Sequence, residues 1–123
     1  MILNIKTSNY ARAGKLPGAV SISVTAPWWF RGPTYPALVP PPKLVRAYKD
    51  GEITNVEYVT RYDVERLSLL DPGRVVEDLL ELAAPHVPVL LCWCAAAAFC
   101  HRILIRNWFQ AAGVECEEVE PGR

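Results

Sequence analysis

The chain has 123 residues, the length of one domain, so a single domain over residues 1–123 is expected. Thirteen Lys and Arg residues balance thirteen Asp and Glu residues, which excludes the global basic field that gives general affinity for nucleic acids. No apolar run reaches the roughly 18 residues of a membrane span, and the first residues lack the pattern of a secretory signal. We expect a cytoplasmic domain without a membrane partner.

Two short strands are predicted near the start of the chain. Residues 1–7 and 19–24 are branched and apolar, and Gly14, Pro17 and Gly18 in the segment between them favour turns. The chain therefore begins with two strands joined by a turn-rich connection.

A long ordered loop follows over residues 25–42, which hold six of the eleven prolines and so exclude a regular helix or a central strand. Its aromatic rings need something to pack against. One interpretation is a proline-stiffened lid over the core. The other is a binding loop in which Trp28, Trp29 or Arg31 overhangs a ligand site.

Two helices are predicted next. Residues 43–49 favour a short helix that ends at Asp50-Gly51, and Thr54-Asn55-Val56-Glu57 matches a capping box that begins a longer helix extending to about Leu70. The side of this longer helix that faces the core is predicted to carry Tyr58, Val59, Tyr62, Leu69 and Leu70.

The second half of the chain alternates helices and strands. An aspartate followed by proline begins a third helix over 71–84, and the near-continuous apolar run at 87–93 is typical of a strand buried on both faces. A last helix over 103–112, ended by Gly113, precedes a final strand over 114–119. This order predicts the α/β class, as a small three-layer Rossmann-like domain with a mostly parallel sheet. Ligands in such folds bind beyond the carboxyl ends of the strands.

The segment from Cys92 to Arg102 connects the buried strand to the last helix and carries the candidate chemistry. A helix start attracts anions and favours thiolate. If the helix begins near Phe99, its first turn presents Cys100, His101 and Arg102 together. If it begins at Ala95 instead, Cys94 takes the terminal position.

The cysteines have other interpretations as well. Crowding of Cys92, Cys94 and Cys100 into nine residues favours free thiols over disulfides, and Cys92 and Cys116 also suit a role as small buried apolar residues. A zinc site would use the three clustered cysteines with His101, but zinc ligands in a pair usually have at least two residues between them. No metal is therefore expected.

Arg102 has two interpretations. A cation has no helix-dipole reason to lie near a helix start, so Arg102 is predicted to grip an anion with two guanidinium hydrogen bonds. On that view Arg102→Lys weakens ligand binding and leaves the melting temperature unchanged. The alternative is a salt bridge to a carboxylate such as Glu57 or Asp63, for which the same substitution lowers the melting temperature.

The chain resembles the YeaO-like family, a bacterial and phage group of domains of unknown function. The resemblance lies in Val89-Leu90-Leu91-Cys92 followed by Phe99-Cys100-His101-Arg102, with further blocks in the same order. Those further blocks are Thr7-Ser8-Asn9-Tyr10, Ser21-Ile22-Ser23, the segment from Trp29 to Tyr35, and Glu57-Tyr58 with Tyr62. The resemblance implies that the Cys-His-Arg residues share a site with Cys92, beneath the two serines and the tyrosines. The alanines at 95–98 depart from the family pattern, through lost loop contacts or deliberate alteration.

We expect a domain that binds or processes a small anionic, nucleotide-like molecule, with no cofactor. The catalytic candidates are Cys100 or Cys94 as the reactive thiol and His101 as the general acid or base. The ligand-binding candidates are Arg102, Cys92, Ser21, Ser23, Trp29, Arg31, Tyr58 and Tyr62. Two alternatives stay open: a phage-type protein that sequesters a nucleotide signal without turnover, and a protein that processes a base in DNA or RNA, which the balanced charge disfavours.

Overall fold

Four parallel strands form the central sheet of the computed structural model, which describes residues 4–93 and 100–119. The strands are β1 (Asn4–Asn9), β2 (Ala19–Ser21), β3 (Val89–Cys92) and β4 (Glu115–Glu118), and their spatial order is β2-β3-β1-β4. All four residues of β3 are buried, as its continuous apolar run predicted. The α/β class with a Rossmann-like parallel sheet is confirmed.

The helices are α1 (Tyr10–Ala13), α2 (Pro42–Lys49), α3 (Asn55–Glu65), α4 (Pro72–Ala83) and α5 (His101–Ala111), with short 3-10 turns at Pro36–Leu38 and Leu67–Leu69. The predicted caps are present, because Thr54 and Glu57 bond each other's backbone N–H groups and the Asp71 carboxylate accepts from the backbone of Arg74. No helix in the described ranges is long and apolar enough to span a membrane.

Side chains pack on both faces of the sheet and make three layers. On one face, Ile5, Val20 and Leu90 of the strands meet side chains from helices α2 to α5, and this is the main core. On the other face, α1 and the aromatic loop cover Ala19 and Leu91. The second face has the thinner cover, because only one short helix and a few aromatic rings of the loop pack on it.

The end of α3 differs from the prediction. The helix ends at Glu65, because Arg66 leaves helical geometry (φ −133°, ψ −72°) and its Nε donates to the carbonyl of Val39 at 2.7 Å. Past this break the chain rotates, so Leu67 is buried and Leu69 is 74% exposed. Val59 is also exposed, while Tyr58 and Tyr62 are buried as predicted.

The proline-rich loop follows the edge strand β2. Ser21 donates its backbone N–H to Pro33 and accepts from Tyr35, which places the loop beside the last residue of the strand. The Tyr35 hydroxyl donates to the Asp78 carboxylate on α4 at 2.7 Å, and burial together with this bond raises the pKa of Tyr35 to about 12. The loop is therefore anchored at both the sheet and the helical layer.

Candidate functional site

The carboxyl ends of all four strands lie at one edge of the sheet. Asn9 at the end of β1 pairs with Cys92 at the end of β3, and Thr7 pairs with Glu118 at the end of β4. Parallel pairing thus brings Cys92 and Glu118 to the same edge, where α5 also begins. This is the position at which parallel α/β sheets bind ligands.

Two thiols meet at this edge. The sulfur atoms of Cys92 and Cys100 are 2.8 Å apart, well beyond the roughly 2.05 Å of a disulfide bond. Both side chains are buried and both are free cysteines, as is Cys116. At this separation the two sulfurs can share one proton.

The tautomer of His101 follows from its hydrogen bonds. Its Nε2 lies 2.7 Å from the carbonyl oxygen of Ile22, and because a carbonyl only accepts, Nε2 carries the proton. In the neutral ring the other nitrogen, Nδ1, is then an acceptor, and it lies 3.7 Å from the Cys100 sulfur. Burial lowers the pKa of His101 below its ordinary 6.5, so the ring is neutral at pH 7. This is the arrangement of a thiol, a base and a group that orients the base.

The Arg102 guanidinium is fully buried behind the thiols. Its Nη1 donates to the Cys92 sulfur at 3.1 Å, its Nε donates to Glu118 at 3.2 Å, and its Nη2 lies 2.9 Å from the second Glu118 oxygen. Thr7 donates to the same carboxylate at 2.7 Å. Burial alone lowers the pKa of Arg102, but the nearby Cys92 and Glu118 outweigh it and raise the pKa, so the cation is retained. Arg102 thus pairs with Glu118, whereas the predicted partners were Glu57 or Asp63.

A cavity of about 200 Å³ opens in front of the thiols. Among the residues that the structure describes, its lining contains three aromatic side chains besides the imidazole and one cation, the exposed Lys49. The lining residues are Ser23, Val24, Thr25, Pro40, Val45, Tyr48, Lys49, Tyr58, Cys92, Trp93, Cys100 and His101. The cavity is therefore mainly apolar, with the polar chemistry concentrated at the Cys100 side.

Five of the predicted site residues line this cavity: Ser23, Tyr58, Cys92, Cys100 and His101. The structure thereby brings together residues from four separate segments of the sequence. Nearness in sequence explains only the contact between Cys100 and His101.

Other predicted residues lie beside or behind the cavity. Ser21 bonds the Tyr10 hydroxyl at 2.7 Å, and Tyr10 belongs to the cluster on the sheet face that α1 covers. Tyr62 packs its ring edge on His101, with centroids 5.8 Å apart, and donates to the Leu38 carbonyl, while burial raises its pKa. Both residues support the site from outside it.

The remaining predicted residues are placed elsewhere. Arg102 does not line the cavity, and neither do Trp29 and Arg31. Cys94, the alternative nucleophile, lies outside the described residues, as do the alanines at 95–98. Their predicted roles at the ligand stay predictions.

Several residues of the site were not predicted from sequence. Trp93 directly follows a buried strand, so the rule that ligands bind at strand ends could have identified it. Its Nε1 donates to the Thr25 carbonyl at 2.7 Å. Glu118 ends the last strand at the same edge. No sequence pattern marked Tyr48 or Lys49 as a site residue. A lysine in the last turn of a helix is already explained by the helix dipole.

The described residues contain no group of three or more His, Cys, Asp or Glu side chains placed to hold a metal ion. The zinc alternative also requires Cys94, which lies outside the described part of the chain. The acceptor nitrogen of His101 faces a thiol. What the arrangement can do is transfer a proton between sulfur and imidazole.

The fold and the site define a small parallel α/β domain with buried thiols at the strand ends. A family model described as the active DUF488-N3 subclade matches residues 21–113. The chain therefore belongs to the DUF488 family, in that subclade. No curated protein and no solved structure matches it significantly.

Proposed function

We propose that the chain binds a small anionic, nucleotide-like molecule and processes it with Cys100 as nucleophile. The observation that carries the proposal is the contact between the Cys100 sulfur and the acceptor nitrogen of His101 at the wall of the cavity. The 3.7 Å separation is suited to a ligand-free site, where catalytic hydrogen bonds are often long.

The chemistry begins with proton transfer. His101 Nδ1 takes the Cys100 proton while Nε2 keeps its bond to the Ile22 carbonyl, which stabilises the imidazolium. The thiolate then attacks an electrophilic carbon of the ligand. A sulfur–carbon bond forms, the displaced electron pair moves to a neighbouring heteroatom, and that atom takes the proton from Nδ1. No oxidant or reductant is needed for this step.

The cavity walls suit a flat ring. Tyr48, Tyr58 and Trp93 offer aromatic surface, and about 200 Å³ admits a ring of nucleobase size. The anionic part of the ligand is assigned to the exposed Lys49. Arg102 is instead assigned to the Cys92 sulfur, to which its guanidinium donates from behind the cavity.

The crowded free thiols support a cytoplasmic location, where thiols stay reduced. The Cys-His-Arg sequence at the start of α5 supports placement in the YeaO-like group within DUF488. The description of the matched subclade as active supports turnover over sequestration.

The test uses the four ribonucleoside 5′-monophosphates as probes, with binding measured by calorimetry and products by mass spectrometry. Wild type should bind at least one probe, Lys49→Gln should bind it about tenfold more weakly, and Cys100→Ser should bind it without forming product or adduct. Cys116→Ser is the matched control, because Cys116 is also a buried thiol and is not one of the cavity's lining residues. Product formation by Cys100→Ser at the wild-type rate would contradict the proposal. The proposal would also be contradicted if wild type bound none of the four probes.

A further inference from the structure

A second cavity of about 430 Å³ lies between α1 and the aromatic loop. Its lining residues are Tyr10, Ala11, Arg12, Gly14, Lys15, Trp28 and Trp29, and it shares none of them with the thiol cavity. The two cavities are neighbours, because the Tyr10 ring packs edge-on against Trp93 with centroids 5.2 Å apart. The second cavity therefore opens on the other side of Tyr10.

One indole of this cavity is fixed in place. Trp29 packs directly on the backbone of Gly14, where even a single added methyl group would collide with its ring. Lys15 holds its ammonium group 5.7 Å from the centroid of the same ring, a cation–π contact. Trp29 thus forms a rigid floor.

The other indole stands in water. Trp28 is 86% exposed, although it is among the largest apolar side chains of the protein. An exposed indole beside a fixed one offers two aromatic surfaces to a flat ring, and base–aromatic stacking needs no more than such surfaces.

The charges around the rings have one sign. Arg12 and Lys15 are exposed, and no carboxylate lines the cavity in the described part of the chain. The ion pairs of the described ranges involve neither of them. Two cations beside two indoles form a local cationic surface on a chain whose total charge is balanced.

We propose that this cavity binds single-stranded nucleic acid, with a base stacked on Trp28 and Trp29 and adjacent phosphates at Arg12 and Lys15. The balanced total charge fits a short footprint, since only a few phosphates meet cations. A strand is favoured over a free nucleotide because two indoles and two cations line this cavity, more rings and charges than one base and one phosphate engage. Binding at this cavity requires none of the thiol chemistry.

The test is fluorescence anisotropy of a fluorescein-labelled dT12 strand in 50 mM NaCl. Trp28→Ala should weaken binding about 5- to 160-fold, the range for loss of one stacked base. Lys15→Gln should lower the slope of log K against log salt by about 0.7, the value for one phosphate contact on a single strand. Leu69→Ala and Lys43→Gln are the matched controls, an exposed apolar and an exposed basic side chain outside this cavity, and both should bind as wild type.

Two results would overturn the proposal. Trp28→Ala binding dT12 as tightly as wild type would remove the stacking site. Displacement of dT12 by an equal concentration of thymidine monophosphate would show that the cavity recognises the free nucleotide instead. Thermal melts of each variant separate loss of binding from loss of folding, and the exposure of Trp28 makes its variant the safer one to interpret.

Discussion

The Arg102 guanidinium organises the polar interior of the site. It is fully buried, it donates to the Cys92 sulfur, and it pairs with Glu118, which Thr7 orients from β1. A buried cation of this kind is costly unless every donor finds a partner. Its planar fork reaches a sulfur and a carboxylate at the same time, which a point charge does not.

Arg102→Lys should therefore lower stability. The substitution leaves buried acceptors on Cys92 and Glu118 with fewer donors, at a cost of about 1 to 3 kcal/mol. Because about 1 kcal/mol moves the melting temperature of a domain of this size by roughly 4 °C or more, calorimetry will detect it. Arg74→Lys is the matched control, since Arg74 pairs with Asp78 while remaining 75% exposed. Equal melting temperatures for Arg102→Lys and wild type would restore the anion-grip interpretation drawn from the sequence.

His101 predicts a specific dependence of stability on pH. Its pKa in the folded protein lies below 6.5 because of burial, so the unfolded chain binds the proton more readily. Stability is then fully present above about pH 6.5 and falls as the pH drops toward the lowered pKa. Urea unfolding at pH 7.5, 6.5 and 5.5 measures this slope.

The control for the pH experiment is the other histidine. His101→Gln should flatten the decline between pH 6.5 and 5.5, whereas His86→Gln should keep it, because the His86 side chain is exposed in the turn before β3. A decline that persists unchanged in His101→Gln would assign the effect to carboxylates instead.

Among the helices, local sequence signals predicted correctly those ends that are set by backbone capping and by glycine. The Thr54 capping box, the Asp71 cap and the positive φ of Gly51 and Gly113 each ended or began an element where predicted. The end of α3 failed because Arg66 is drawn out of the helix by the Val39 carbonyl, a contact between distant segments. Helical spacing carries no information about such a contact.

The aromatic loop divides between the two interpretations made from its sequence. Trp29 packs on Gly14 within the smaller core, as a lid does, while Trp28 is exposed. Trp29→Ala should destabilise the protein by about 2 kcal/mol, less than the roughly 3 to 5 kcal/mol of a fully buried ring. Trp28→Ala should melt as wild type. Circular dichroism melts of the pair test this, and equal destabilisation by both would show that Trp28 is also structural.

At the scale of the whole molecule, the sheet explains how much of the site was predictable. Alternating elements predicted parallel strands, and parallel strands place Cys92 and the start of α5 at one edge. The partner of Arg102 was not predictable, because Glu118 reaches it through the pairing of β4 with β1, which no local pattern encodes.

The separation of the two cavities was also beyond the sequence. The loop after β2 contributes Thr25 to the thiol cavity and Trp28 to the other cavity. The chain therefore passes from one side of Tyr10 to the other between these two residues. From the sequence we expected a single ligand site with the aromatic loop lying over it. Which face of the sheet the loop covers depends on its packing against α1, where Gly14 leaves room for Trp29.

Activation of Cys100 by His101 at an open cavity can be measured through the rate of iodoacetamide alkylation at pH 7. Tandem mass spectrometry assigns each modified cysteine, and Cys116 is the internal reference because burial raises its pKa to about 12. We predict that Cys100 reacts at least tenfold faster than Cys116 and that His101→Gln removes most of this advantage. Activation by His101 would be contradicted if Cys100 were alkylated no faster than Cys116. It would also be contradicted if His101→Gln left the rate at Cys100 unchanged.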